Sequence, residues 1–360
     1  MERVGLDYRR CAPGMPLERL LGSSLVQRAI LTFQKAGAAE VLLLLHSEDM
    51  AAVSALLEAD ARISTNLRFS EDVSEEATAD TPSLRGDLVF LPLALETLLS
   101  DVSHQEESGA TWQLLESEAD RVAAGDLLMA SLVKEADGVI SRNINRRISC
   151  FISRRIADTS VHPNHVTALV GLIGFAAFPL AMQGTWEGYA LGSLCYYVSA
   201  ILDGVDGELS RLKHLGSPLG AWLDTLTDDA VCVAWLLGLF WGLSGGGEDG
   251  MWTAVAAITL GSFSLTVGPR YWLMLTLVGA GDHQKIAAAR KGESTNPGFL
   301  SRVIDGLAAT VFRTDFLPFY AFVTALLGVP EIFAWSFAVG SVLAMIETFF
   351  TVRAVRRMSA

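Results

Sequence analysis

Cysteine is scarce and scattered. Cys11, Cys150, Cys195 and Cys232 form no CxxC pair and no cluster with histidine, which excludes a zinc ribbon and a disulfide framework. Cys195 and Cys232 lie inside apolar runs and read as packing residues. A basic face is missing as well. The 27 Lys and Arg are outnumbered by 40 Asp and Glu, for a net charge of −13, which argues against nucleic-acid binding. The first twenty residues mix Glu2, Arg3, Asp7, Arg9 and Arg10 and have no apolar core. No signal peptide is expected there, and the N-terminus is expected to stay in the cytoplasm. Charge also thins out along the chain. Positions 1–136 hold 11 Lys and Arg against 23 Asp and Glu, a balance of −12, whereas long apolar runs dominate from about 163.

What is present divides at that change of character. The 360 residues are 51% hydrophobic and their mean hydropathy is +0.37, enough chain for two domains. In 1–136, helical periodicity at Ser24–Gly37 and Ser47–Ala59 alternates with strand-like runs at Glu40–His46 and Asp87–Leu91, the latter followed by a helix to Ser100. That alternation predicts a small α/β domain, with the acidic stretch Ser70–Asp80 as a loop. The segment 137–157 places Ile140, Ile144, Ile148, Phe151, Ile152 and Ile156 on one helical face, with Arg142, Arg146, Arg147, Arg154 and Arg155 off it. A basic amphipathic helix just ahead of an apolar run predicts a helix lying in the membrane interface. Six spanning helices are expected, at 165–183, 187–205, 219–243, 251–278, 310–329 and 331–351, on a requirement of about 20 apolar residues each. Connections on one side carry no Lys or Arg, while the other side has the 137–157 helix, Arg211, Lys213 and the basic tail. The positive-inside rule then puts both termini in the cytoplasm of an integral membrane protein, in an inner or plasma membrane. The expected domains are 1–136 and 137–360.

Within the apolar half, carboxylates are few and regularly spaced. Asp203 and Asp206 are three apart at the end of the second expected span, and Asp224 and Asp228 are four apart near the start of the third. Both spacings put a pair on one helix face. Four carboxylates at one membrane depth need neutralising, and intramembrane ionisable groups are costly and usually functional. Oxygen-only donors favour Mg²⁺ or Mn²⁺, and two such ions about 3.5–4 Å apart are a recurrent device of phosphoryl chemistry. Gly207 and Gly220 sit one turn or less from these carboxylates, where a ligand or backbone must come close, and Arg211 is suited to a diphosphate. A cation-coupled transporter would use the same carboxylates, but its binding groups usually lie near the bilayer midplane, and these lie at one interface. A catalytically silent membrane scaffold is the other alternative.

The run reads Asp203-x2-Asp206-Gly207-x2-Ser210-Arg211-x8-Gly220-x3-Asp224-x3-Asp228. It resembles the signature of the CDP-alcohol phosphotransferase family, DxxDGxxARx8GxxxDxxxD, with Ser210 for the usual Ala. The resemblance covers about 137–357 and implies a six-helix membrane fold, a homodimer, and transfer of a substituted phosphate from a CDP-alcohol donor to a hydroxyl with release of CMP. The acceptor would be a lipid, a polyol or a phosphorylated polyol. The resemblance implies that Asp203, Asp206 and Asp224 ligate two metal ions. Asp228 would help to hold the second ion and act as general base, and Gly207, Ser210, Arg211, Gly220 and Asn164 would line the CDP site.

The wider sequence, DGVISRNINRRIS, HPNHVT, GELSRLK and GAWLDT, resembles the branch with an N-terminal nucleotidyltransferase-like domain, which includes inositol-phosphate-using enzymes. Asp229 departs from that pattern, where an Arg is common. A phosphorylated acceptor beside four carboxylates would need cations, and Arg142, Arg270 and Arg313 are expected at the right level. The stretch from Pro13 to Leu45 resembles the part of a sugar nucleotidyltransferase that follows its Gly-rich loop. Nothing before Pro13 reads as a first strand with a GxGxR turn, and Phe90, Leu91 and Pro92 stand where a metal-binding acid would be expected. The expectation is a degenerate domain with a structural or regulatory role.

Overall fold

The computed structural model describes residues 3–71, 82–100, 105, 108–133, 138–273, 275 and 316–358. The chain divides into two compact units. One comprises Met1–Lys134, Ile152–Val161 and Glu208–Leu215; the other comprises Glu135–Phe151, His162–Gly207 and Gly216–Ala360.

The first unit is α/β. In chain order it contains β1 (Arg3–Asp7), β2 (Arg19–Leu20), β3 (Ser23–Ser24), α1 (Leu25–Lys35), β4 (Glu40–Leu44), α2 (Ser47–Glu58), β5 (Asn66–Ser70), β6 (Ser83–Arg85), β7 (Leu88–Phe90), α3 (Leu95–Ser100), β8 (Trp112–Leu114) and α4 (Glu118–Ala130). Helix α1 starts at a capping box, in which Ser24 accepts from the Gln27 N–H and the Gln27 side chain returns to Ser24, satisfying two otherwise orphan donors. Its inner face, Val26, Ala29, Ile30 and Phe33, joins Val41 and Leu43 of β4 in the core. The sheet order is β5-β4-β1-β6, with every pairing parallel.

A first strand therefore does exist before Pro13, contrary to the sequence expectation: β1 is an inner strand, paired on both edges. Its apolar part is only Val4-Gly5-Leu6, too short to register as a strand. The order reverses between β1 and β6, and in open α/β sheets ligands enter at such a switch point, outside the carboxyl ends of the strands. Here Tyr8 follows β1 with no exposed surface, and its ring abuts Gly86 just beyond β6. A Cβ on Gly86 would stand 2.2 Å from Tyr8 Cδ1. Phe90, where an acid was sought, is buried against Phe33 with ring centroids 5.7 Å apart. The loop expected at Ser70–Asp80 lies outside the described residues from 72 onward.

The second unit is helical. A π turn, Ser141–Asn145, leads into α5 (Arg146–Ile156), whose last residues belong to the first unit. There follow α6 (Pro163–Phe175), α7 (Ala177–Ala181), α8 (Trp186–Leu212), α9 (Pro218–Leu243), α10 (Gly250–Leu273), α11 (Leu317–Leu326) and α12 (Pro330–Met358). Four stretches are long and apolar enough to cross a membrane: Pro163–Ala181, Pro218–Leu243, Gly250–Pro269 and Pro330–Phe349. Their outward faces expose Leu172, Leu265 and Val339, as lipid-facing helices do. Inside, Trp235 is fully buried, stacked on Tyr196 at 6.1 Å and edge-on to Phe333 at 6.2 Å. Helix α8 is less apolar because it carries the polar groups of the site. Of the expected span 310–329, Phe316 onward is described, with α11 as a short apolar helix.

Of the expected apolar stripe on the π turn and α5, Ile144, Ile148 and Phe151 are exposed and Ile140, Ile152 and Ile156 are half-buried. The buried face is Ser141, Asn145, Ser149, Ser153 and Ala157, every fourth residue. A row of small side chains lets a helix approach its neighbours closely.

Candidate active site

Three local structures set the site. Helix α6 begins at an N-cap His162, whose Nδ1 accepts from Asn164 N–H at 3.2 Å, with Pro163 at the first helical position. Helix α9 begins at Ser217, whose hydroxyl accepts from Gly220 N–H at 3.0 Å. Pro218 again occupies the first turn, where its missing N–H costs nothing. Helices α8 and α9 run antiparallel. Tyr196 meets Trp235 at one level and the carboxylates meet at another.

There one carboxylate oxygen from each of Asp203, Asp206 and Asp224 lies within 4.8 Å of the other two. Asp206 is buried, with 5% of its surface exposed, and Asp203 and Asp224 are half-buried. Thr167 Oγ1, one turn into α6, donates to Asp206 Oδ2 and fixes its rotamer. Converging carboxylates repel one another unless positive charge neutralises them. An all-oxygen donor set at this spacing suits a hard divalent cation, so the residues fit the ion that the sequence implied.

Asp228 lies one turn beyond Asp224 and faces a cavity of about 340 Å³ together with Asp203. The cavity is lined by Ser141, Asn145, Arg146 and Ser149 of the π turn and α5 and by Asp229 of α9, with Phe263, Pro318 and Phe337 among its apolar residues. Asn145 accepts from Tyr197 Oη at 3.0 Å, and Tyr271 Oη donates to Asp229 Oδ2 at 2.5 Å. Asp229 is thus an oriented group of the cavity wall.

The other expected residues fall as follows. Asn164 and Gly220 lie close together: a Cβ on Gly220 would be 3.7 Å from Asn164 Oδ1. Gly207, Ser210 and Arg211 follow Asp206 on α8, with Arg211 exposed. Arg142 is exposed and is not among the residues lining the cavity; Arg146, one turn later, is. Arg270 lies near the end of α10, with its side chain outside the described residues, and Arg313 lies outside them entirely. Sequence reasoning missed Thr167, Arg146 and the Tyr271–Asp229 pair. The four-residue repeat of small polar residues from Ser141 was the available signal for the first turn of that cavity wall.

A helical domain with apolar outward faces that gathers aspartates from two adjoining helices beside a cavity of mixed polar and apolar lining is an integral membrane protein with a candidate divalent-metal centre. The chain belongs to the CDP-alcohol phosphatidyltransferase family, whose model matches residues 160–353. It is 35% identical over 135 residues to a "Bifunctional IPC transferase and DIPP synthase" of Aquifex aeolicus (strain VF5), covering 37% of this chain and 30% of that protein. It is 39% identical over 70 residues to a "CDP-diacylglycerol--inositol 3-phosphatidyltransferase" of Drosophila melanogaster, covering 19% and 31%. The chain spans less than a third of the length of these curated relatives. It is also similar to the crystal structure of Mycobacterium tuberculosis phosphatidylinositol phosphate synthase with CDP-DAG bound, at 23% identity and a TM-score of 0.40, covering 57% of this chain and 94% of that one.

Proposed function

We propose that this chain transfers a substituted phosphate from a CDP-alcohol to an acceptor hydroxyl and releases CMP. The observation that carries the reading is the convergence of Asp203, Asp206 and Asp224 beside a cavity containing Asp228, in a chain of this family. Asp203, Asp206 and Asp224, with Asp228, would hold two Mg²⁺ or Mn²⁺ ions. Such ions neutralise a diphosphate and stabilise charge on a leaving phosphate. Asp228 takes the proton of the acceptor hydroxyl as its oxygen bonds to the phosphorus bearing the alcohol. The bond from that phosphorus to the CMP oxygen breaks, and CMP leaves with the electron pair. Asn164, Gly207, Ser210, Arg211 and Gly220 line the CDP side.

The acceptor enters the 340 Å³ cavity. That volume is near the lower end for ligand pockets and suits a compact polyol or phosphorylated polyol. Arg146 binds its phosphate, in place of Arg142, and Asp229 accepts from its hydroxyls. Arg146→Gln is expected to raise the acceptor KM by roughly ten- to a hundredfold, the effect of losing a charge-assisted hydrogen bond, while leaving the donor KM nearly unchanged. Initial-rate measurements with each substrate varied in turn check this. An unchanged acceptor KM removes Arg146 from the pocket.

The remaining topology follows the same reading. Six helices span the bilayer, and the Arg-rich face of α5 puts the site and both termini on the cytoplasmic side of an inner or plasma membrane. The protein forms a homodimer. The first unit is a nucleotidyltransferase-like domain that does not turn over nucleotides, because Tyr8 fills its switch point. Full-length protein given CTP and a phosphorylated alcohol is therefore expected to release no pyrophosphate. Pyrophosphate above the no-enzyme level refutes this assignment of the domain.

A further inference from the structure

The C-terminus of α8 is capped by side chains from distant parts of the sequence. A helix leaves its last carbonyls without partners, and here local bonds account for part of them. Lys213 N–H reaches Leu209 O at 2.9 Å and Leu215 N–H reaches Ser210 O at 2.9 Å, across His214 in the left-handed region at φ 53. The next carbonyls are taken by arginines of the α/β fold. Arg28 of α1 donates to Leu212 O at 3.1 Å, and the same Nη2 also reaches Leu20 O at 2.7 Å. Arg62 donates to Lys213 O and is itself held by Asp60, with Nε to Oδ1 at 2.6 Å. Two cations at a helix C-terminus also oppose its negative dipole end.

The turn between β2 and β3 completes the clamp. Gly22 N–H donates to Asp158 Oδ1 at 2.7 Å. Gly22 has φ +89, and a Cβ there would stand 2.6 Å from Ala157 O and 2.8 Å from Lys213 Cγ. Lys213 Nζ donates to Thr159 O at 2.8 Å and to Val161 O at 2.7 Å. One turn earlier on α8, the buried Glu208 accepts from Ser153 Oγ at 2.6 Å. All of these groups lie in the first unit. Arg28 is only 6% exposed; its bonds to Leu20 O, Leu21 O and Leu212 O all leave from Nη2, while its buried Nε has no hydrogen-bond partner among the described residues, so its burial is only partly compensated. Burial pushes its pKa down to about 10, and the nearby Asp158 works against that fall. Burial likewise pushes His214 down to about 4. Arg28, Arg62 and Lys35 disfavour its charged form and Asp60 favours it, so the ring is neutral at physiological pH.

The capped turn is the one that bears the CDP-side residues Ser210 and Arg211, and α8 runs without a break from Asp203 and Asp206 into it. We propose that Arg28, Arg62 and Gly22 are positioning residues: the α/β domain holds the last turn of α8 so that Ser210 and Arg211 meet the donor nucleotide. This gives the domain a role without nucleotide turnover of its own. It rests on the transfer reaction proposed above.

The test is steady-state kinetics on the full-length chain, with Arg62→Gln as the main variant because Arg62 is partly exposed. Arg28→Lys, Arg28→Gln and Gly22→Ala serve as companions. Melting temperature and size-exclusion profile establish folding. The expected result is a donor KM raised about tenfold in Arg62→Gln, on the scale of one hydrogen bond to a charged group, with the acceptor KM within twofold of wild type. Gly22→Ala should move the donor KM in the same direction, and Arg28→Lys, which keeps the charge, should move it less than Arg28→Gln. A donor KM unchanged in Arg62→Gln and Gly22→Ala, in folded protein with active wild type, overturns the positioning role. Wild-type protein that releases no CMP overturns the transfer reaction instead, and the inference with it.

Discussion

Asp206→Asn should reduce turnover by on the order of a thousandfold or more. The substitution keeps the size of the side chain and one acceptor oxygen, so Thr167 can still donate to it. What is lost is one negative charge at the point where three carboxylates lie within 4.8 Å. Charge stabilisation by a bound metal is worth several kcal/mol in the transition state, and each 1.36 kcal/mol is tenfold in rate. The check is CMP release by detergent-purified variant and wild type at saturating substrates and Mg²⁺, with matched melting temperatures. A variant retaining more than a tenth of wild-type turnover contradicts the metal-holding role.

Asp228→Asn is expected to act differently. As general base, Asp228 contributes to the proton transfer, an effect of roughly 10²–10⁴ in rate. Its kcat should fall by that factor while the donor KM stays within about twofold, since Asp203, Asp206 and Asp224 would still hold the divalent ions that neutralise the diphosphate. Measuring kcat and donor KM separately distinguishes the two cases. If donor affinity collapses together with kcat, Asp228 is chiefly a ligand-holding residue and the base lies elsewhere.

The carboxylates were legible in the sequence because helical periodicity alone puts Asp203 with Asp206, and Asp224 with Asp228, on single faces. The tight turn between the two helices then brings the pairs together. The α5 helix shows where such reasoning stops. Its apolar stripe was evident, but a membrane reverses the usual inference from apolar to packed: Ile148 and Phe151 face outward and Ser141, Asn145 and Ser149 face the protein. Without that orientation, Arg142 and Arg146 could not be told apart, although only Arg146 lines the cavity. In the α/β unit, β4 announced itself as an unbroken apolar run. β1, β5 and β6 did not: β1 has only Val4-Gly5-Leu6 between charged ends, β5 is interrupted by Arg68 and β6 is three residues long, and their strand character comes from parallel partners far away in sequence. The clamp on α8 was invisible for the same reason: Arg28 and Leu212 are 184 positions apart, and nothing local marks Arg28 as a capping group. The placements of Arg270 and Arg313 rest on sequence alone.

The most direct measurement is CMP release by the purified full-length chain in lipid nanodiscs, with the donor, the acceptor and the divalent ion each omitted in turn. CDP-diacylglycerol and a CDP-polyol serve as donors, and an inositol phosphate and a free polyol as acceptors. Expected is CMP formed in a one-to-one ratio with the phosphodiester product for at least one pairing, abolished by EDTA, restored by Mg²⁺ or Mn²⁺ and absent in Asp206→Asn. CMP release that persists in excess EDTA or in Asp206→Asn, or no CMP from any pairing by folded wild-type protein, would contradict it.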